Sequence, residues 1–157
     1  MNATLGSARR AMGAFHYMLT GTITNGLHQL PIRVYYEDTD FSGYVYHANY
    51  LKFCERARSD FLRVLGVNQN SMFAEGAAFV VRRMNCDFLR PAKFDDILTV
   101  ESSPGEAKGA RFEIRQQVLR GNEVLFTADV TAVLIDRNGR PRRLSPAVLE
   151  ALSSTSS

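Results

Sequence analysis

Residues 47 to 65 carry one apolar stripe. Tyr50, Phe53, Cys54, Ala57, Phe61, Leu62 and Leu65 recur at the three- and four-residue spacing that gathers side chains on one side of an α-helix. Glu55, Arg56, Arg58, Asp60 and Arg63 fill the other side, and Gly66 follows where a helix C-terminus favours a glycine. A helix of about 19 residues is a rod of roughly 28 Å, long enough for a sheet to wrap. Beyond Ala77 the period changes to two. Phe79 to Arg90 reads as one strand, ended by Pro91, and Ile97 to Glu101 as a second. In Arg111 to Arg120, Phe112, Ile114, Gln116 and Val118 face one way. Glu123 to Asp136 does the same with Val124, Phe126, Ala128, Val130, Ala132 and Leu134. The turns Gly121-Asn122 and Asn138-Gly139 punctuate these runs.

Before the helix, His28 to Tyr36 reads as a strand with Leu30, Ile32, Val34 and Tyr36 on one face, and Pro31 marks a start or an edge. Ser145-Pro146 is an N-cap followed by proline, so a short last helix is expected. The order is strand, long helix, then four strands joined by short turns. Strands do not alternate with helices, which excludes a doubly wound parallel sheet. The expected class is α+β, with an antiparallel sheet of five or six strands around one central helix. The ordered domain is placed at residues 28–152. Residues 1–27 lack a clear period and are expected to be a disordered extension rather than a signal peptide, with Met12 and Met18 as other possible starts. Residues 153–157 are expected to be a disordered tail.

The chain has 157 residues, the size of one domain with its own core. No apolar run is long enough for a transmembrane helix. The net charge of +3 is too small and diffuse to argue for nucleic acid. It suits an anionic small ligand or the inner surface of a membrane. Cys54 and Cys86 are far apart and fall on an apolar stripe and a strand face, as small buried hydrophobes would. Two unpaired cysteines fit a reducing cytoplasm. Three scattered histidines and two separated cysteines give no zinc set. Asp38 to Gly43 imitates half a calcium loop, but Asn49 stands where a bidentate Glu is required. No metal or other cofactor is expected.

The chemistry concentrates in Tyr35-Tyr36-Glu37-Asp38-Thr39-Asp40-Phe41-Ser42-Gly43-Tyr44-Val45-Tyr46-His47. A carboxylate, Asp40, stands a few residues before a helix N-terminus, where backbone N–H groups lack partners and a partial positive charge accumulates. That pairing suits attack on a carbonyl and capture of the oxyanion that results. The plainer reading is that Asp40 caps the helix or the turn. No Gly-x-Ser-x-Gly nucleophile motif occurs. His47 either polarises the carbonyl and positions water, or is a half-buried histidine satisfied locally. Tyr36 lies two residues from Asp38 and four from Asp40, so an extended chain puts all three on one face; it either touches the site or packs as a strand aromatic.

The run Asp40 to Tyr50, with Gly43, His47 and Tyr50 at their spacings and Glu55-Arg56-Ala57-Arg58 after it, resembles the hotdog-fold acyl-CoA thioesterases. Arg90-Pro91-Ala92 and Asp95-Asp96 extend the likeness, which covers about Pro31 to Leu144. It is nearest to the Tol–Pal-associated YbgC group and more distant from 4-hydroxybenzoyl-CoA thioesterase. The resemblance implies Asp40 as the active-site carboxylate, acting as nucleophile or general base. It implies His47 as the active-site histidine, and backbone donors for the oxyanion at Tyr46 and His47. It also implies a CoA or acyl-carrier thioester as substrate, a homodimer with a continuous sheet, often paired into a homotetramer, and sites at subunit interfaces. A peripheral inner-membrane or acyl-carrier-protein contact fits the same group. Phe41-Ser42 departs from the small residues common in relatives, so the acyl pocket is expected to differ in shape.

Arg82, Arg83 and Arg90, with Arg140, Arg142 and Arg143, are available for the CoA phosphates, although any one surface arginine is more often simply solvated. Two other functions share this scaffold: an enoyl hydratase or dehydratase, and a non-catalytic module docking lipid-synthesis or cell-envelope proteins.

Overall fold

The computed structural model describes residues 19–155. One antiparallel sheet of six strands contains β1 (Thr22–Thr24), β2 (Leu27–Arg33), β3 (Ala78–Phe88), β4 (Ile97–Lys108), β5 (Arg111–Arg120) and β6 (Glu123–Ile135). Their spatial order is β1-β2-β4-β5-β6-β3. The long helix α1 (His47–Val64) lies against β1, β2, β4 and β5. Two shorter helices are α2 (Gln69–Ala74) and α3 (Pro146–Ser153). This is the α+β hotdog arrangement, with six strands rather than five.

The apolar stripe decides which side of α1 is buried. Phe53, Cys54, Ala57 and Phe61 are fully buried, in one core with Leu98, Val100, Ile114, Val118 and Phe126 from the sheet. A fully buried Phe or Leu contributes about 1.5–3 kcal/mol relative to exposure, so α1 is held by packing more than by propensity. Its C-terminus closes as the glycine predicts. Gly66 adopts φ +83°, its N–H donates to the Arg63 carbonyl (3.0 Å), and the Val67 N–H donates to that of Leu62 (2.9 Å). Ser145 caps α3 by accepting the Val148 N–H at 3.3 Å.

Four expectations need correction. The sheet begins inside the segment assigned to a disordered extension. Asn25 and Gly26 both take positive φ (51° and 76°) and join β1 to β2, with Thr24 opposite Leu27. Asn-Gly is the preferred pair for such a hairpin turn. Residues 1–18, the rest of that extension, lie outside the described residues, as do the last two of the tail. Secondly, β4 does not stop at Glu101. It continues to Lys108 through a bulge between Pro104 and Ala107, the kind of place where a strand tolerates proline. Thirdly, α2 was not expected. Asn68 starts it by accepting the Ser71 N–H at 3.0 Å.

Fourthly, two residues of the polar side of α1 are buried. Arg58 donates to Gln116 Oε1 at 2.8 Å, and Gln116 in turn donates to the Cys54 carbonyl (3.0 Å) and Ser102 Oγ (2.9 Å). Asp60 accepts from Gly21 and His28. The wrapping sheet reaches further round the rod than a single stripe indicates. Burial also pushes the Cys54 thiol up to about 12, so it is no nucleophile, while Cys86 is only half-buried. Among the described residues no helix is long and apolar enough to cross a membrane, and no group of acidic, His and Cys side chains is placed to hold a metal.

Candidate active site

The chain leaves β2 at Arg33 and reaches α1 through residues 34–46, which are stitched at three levels. Asp38 is the innermost. Its Oδ2 accepts the Tyr35 N–H (2.8 Å) while its own N–H donates to the Tyr35 carbonyl (3.0 Å). Its carbonyl accepts both the Tyr46 N–H (2.9 Å) and Asn49 Nδ2 (2.8 Å). Asp38 and Asn49 are both buried, so these bonds fix the start of α1 against the end of β2. Buried polar groups of this kind persist only when satisfied.

Asp40 forms the outer level. Its Oδ1 accepts the Ser42 N–H (2.8 Å) and the Ser42 hydroxyl. The turn closes through Asp40 N–H to the Tyr44 carbonyl and Gly43 N–H to the Asp40 carbonyl, both 3.0 Å. Gly43 makes this possible at φ +83°. The Ser42 hydroxyl, then the Ser42 N–H, and lastly the nearby His47 outweigh a slight desolvation and hold the Asp40 carboxyl below the usual carboxylate range. Asp40 is exposed, and its Oδ2 has no hydrogen bond among the described residues.

The third level is the helix end. Tyr46 is the N-cap, with no side-chain cap, and no acidic residue stands in the first turn. The Tyr46 N–H is already committed to Asp38. The N–H groups of His47 and Ala48 meet no acceptor among the described residues. A helix N-terminus left open in this way attracts negative charge. The His47 ring lies 4.5 Å from that of Tyr46 and edge-on to Phe88 at 5.9 Å.

A second segment walls the site. The Val45 N–H donates to the Ala92 carbonyl (2.8 Å), and the Ala92 N–H donates to the Tyr50 hydroxyl (2.9 Å). Tyr50 stacks on Phe126 at 5.2 Å, and its burial raises the hydroxyl pKa. Residues 90–96 are thereby tied to the segment that carries Asp40.

Residues 42–127 match the model of the Thioesterase superfamily. The chain belongs to that superfamily. It is 44% identical to the acyl-CoA thioesterase YbgC of Haemophilus influenzae, over 73% of this chain and 84% of that one. It is 39% identical to the acyl-CoA thioester hydrolase YbgC of Escherichia coli O6:H1, over 78% and 90%. The crystal structure of a probable thioesterase from Bartonella henselae aligns with a TM-score of 0.72 at 47% identity, covering 76% of this chain and 99% of that one. The superfamily match begins at Ser42, so Asp40 lies just before it.

In this thioesterase the structure brings Asp40, His47 and the helix N-terminus together. It does not bring Tyr36 with them. Tyr36 opens a 3₁₀ turn (Tyr36–Asp38) instead of continuing β2, so the extended alignment with Asp38 and Asp40 never forms, and its side chain is 83% exposed. The three arginines also separate. Arg82 and Arg83 share a shallow hollow with Arg111, Glu113 and Thr131. Arg82 and Arg83 stand mid-way along β3 and Arg90 two residues past its end, roughly 20 Å away by strand rise, with its Nε 3.3 Å from Glu123. Arg142 donates to the Glu75 carbonyl at 3.3 Å. Sequence reasoning missed Asp38, Asn49 and Ala92 as the frame of the site. Asp38 carried a signal in its spacing from Asp40; Asn49 and Ala92 stood inside the family-like runs, but their bonds to Asp38, Val45 and Tyr50 join residues distant in the chain, which no spacing reveals.

Proposed function

We infer that the protein hydrolyses acyl-CoA thioesters to a free acid and a thiol, with Asp40 as the reacting carboxylate. One observation carries this reading: an ionised, solvent-facing carboxylate with a free oxygen, fixed by its own turn beside a helix end whose first two amides have no acceptor. Two routes use that arrangement. As a nucleophile, a carboxylate oxygen bonds to the acyl carbon, the C–S bond breaks, the thiolate leaves and is protonated by solvent, and water then cleaves the mixed anhydride. As a general base, Asp40 takes a proton from water while the water oxygen attacks the acyl carbon; the tetrahedral intermediate then collapses, the C–S bond breaks, and the departing thiolate is protonated by Asp40 or solvent. In both, the N–H groups of His47 and Ala48 receive the oxyanion, and one such donor is worth about 3–4 kcal/mol. The Tyr46 N–H is spent on Asp38 and does not serve.

For the CoA phosphates, Arg82 and Arg83 supply positive charge, whereas Arg111 is balanced by Glu106 and Glu113 and Arg90 by Glu123. β3 is an 11-residue edge strand with Val80 and Val81 exposed. Long unpaired edges invite pairing, which supports a homodimer with one continuous sheet and, from it, a homotetramer. Two unpaired cysteines support a cytoplasmic place, and the modest basic excess supports contact with the inner membrane surface, Tol–Pal proteins or an acyl carrier protein.

The test is thiol release from a series of acyl-CoAs of increasing chain length. Turnover is expected, with a preferred chain length. No release from any member would contradict the reading, and loss of enoyl absorbance without thiol release would indicate a hydratase.

A further inference from the structure

Resting on that thioesterase reading, we propose that Arg120, at the end of β5, is a positioning residue for the active site, acting through Asp96 and the 91–96 loop. Arg120 touches none of the groups proposed to react. Its Nη1 donates to Asp96 Oδ2 (2.8 Å) and to the Pro91 carbonyl (3.3 Å), and its Nη2 to Glu123 Oε2 (2.9 Å). Asp96 Oδ2 also accepts the Lys93 N–H at 3.0 Å. One guanidinium therefore grips the loop on both sides of Ala92.

Ala92 is fully buried, and it is the residue that holds the site. Its carbonyl accepts the Val45 N–H and its N–H donates to the Tyr50 hydroxyl. Val45 lies between the Asp40 turn and the His47 amide, and Tyr50 lies in the first turn of α1. The chain of contacts runs from Arg120 through the loop to the two elements whose relative placement sets the distance from carboxylate to oxyanion donors. The charges of Arg120 and Asp96 are both felt at the Tyr50 hydroxyl. Burial would raise the Asp96 carboxyl, but the Lys93 N–H and Arg120 outweigh it and hold it ionised.

The loop also needs holding. Asp95 adopts φ +69°, a left-handed conformation unfavourable for a residue other than glycine, and such strain persists only where the surroundings over-determine it. Arg33 takes the Asp95 carboxylate at 2.9 Å on the exposed side, and Val34 exchanges backbone hydrogen bonds with Asp95 and Asp96. Arg120 is the only side chain among the described residues that binds the loop at both Pro91 and Asp96.

The experiment uses the full chain and three variants, Arg120→Ala, Arg120→Lys and Asp96→Asn, with two readouts. The first is the split between kcat and KM for an acyl-CoA that the wild type turns over. A misplaced reacting pair loses about 10- to 100-fold, so Arg120→Ala and Asp96→Asn are expected to lower kcat in that range with KM within about twofold. Arg120→Lys keeps one donor for Asp96 and is expected to recover part of the loss. The second readout is amide hydrogen exchange, which needs no activity. The Val45 and Ala92 amides are expected to exchange at least about tenfold faster in Arg120→Ala while those of α1 beyond Phe53 stay protected. Unchanged exchange at Val45 and Ala92, or faster exchange with unchanged kcat, or a rise in KM alone, would each overturn the proposal. Should Arg120→Ala fail to fold, Asp96→Asn answers the same question from the other side of the contact. A wild type that releases no thiol would sink the thioesterase reading, and the exchange data would still decide the clamp.

Discussion

Two aspartates flanking the ends of one helix are held in opposite ways. Asp60, in the last turns of α1, is 3% exposed. Its Oδ2 accepts the Gly21 N–H and His28 Nε2, each at 2.7 Å, and Arg63 lies 3.4 Å from Oδ1. Two of those partners lie 39 and 32 residues away in the chain. Gly21 is a glycine because a Cβ there would stand 2.5 Å from the Gln29 carbonyl oxygen and 2.6 Å from His28 Nε2. Asp40, before the first turn, is held only by Ser42, two residues on, and keeps one oxygen free. A carboxylate whose donors come from distant strands ties the fold together. A carboxylate held by its own turn costs the fold little and stays available. The difference separates architecture from chemistry within one residue type.

The contrast breaks first at Asp40. Asp40→Asn keeps the oxygen that accepts from Ser42 but loses the charge, so thiol release is expected to fall by about 10³-fold or more with the melting temperature unchanged within error. Asp60→Ala is expected to do the reverse. It leaves the buried Gly21 N–H and His28 Nε2 without their acceptor, at about 1–3 kcal/mol each, read as a lower denaturant midpoint, while turnover per folded molecule stays near that of the wild type. If Asp60→Ala instead abolished turnover at full stability, the division would be wrong.

Tyr50→Phe sharpens the boundary between the two classes. It leaves the buried Ala92 N–H without an acceptor, for about 1–3 kcal/mol, and it loosens the wall of the site. Stability and kcat are expected to fall together. Ser42→Ala is the mildest. The reacting carboxylate must be ionised, and its pKa lies below the ordinary range because of Ser42, so activity in the wild type is lost only well into acid. Without the hydroxyl the pKa rises, and the acid limb of kcat/KM is expected to move to higher pH with the neutral rate nearly unchanged. An acid limb that does not move would mean that another group titrates there.

Much of this molecule is legible in its sequence because the signals are local. The stripe along α1, the alternation in β5 and in β6 from Phe126 onward, the Gly121-Asn122 turn and the Ser145 cap each involve residues within one element, and each forms as read; at the start of β6 a register shift buries Leu125 instead of Val124. What escaped is non-local or compact. The burial of Arg58 and Asp60 depends on Gln116, His28 and Gly21, which no helical period reveals. Tyr36 leaves the strand because Asp38 pairs with Tyr35 in a 3₁₀ turn, a choice made by hydrogen bonds over three residues rather than by alternation. Asn25-Gly26 was a usable turn signal, hidden by the short β1 before it. The neighbourhood of Asp40 and His47 is readable because the turn that joins them is only a few residues long, whereas the frame supplied by Ala92 arrives from another strand connection.

The most direct measurement is a crystal structure of the Asp40→Asn variant with an uncleaved acyl-CoA bound. The thioester carbonyl oxygen is expected within about 3 Å of the His47 amide nitrogen, with the acyl carbon facing residue 40. A thioester bound elsewhere, or one whose carbonyl turns away from the start of α1, would contradict the assignment of the site.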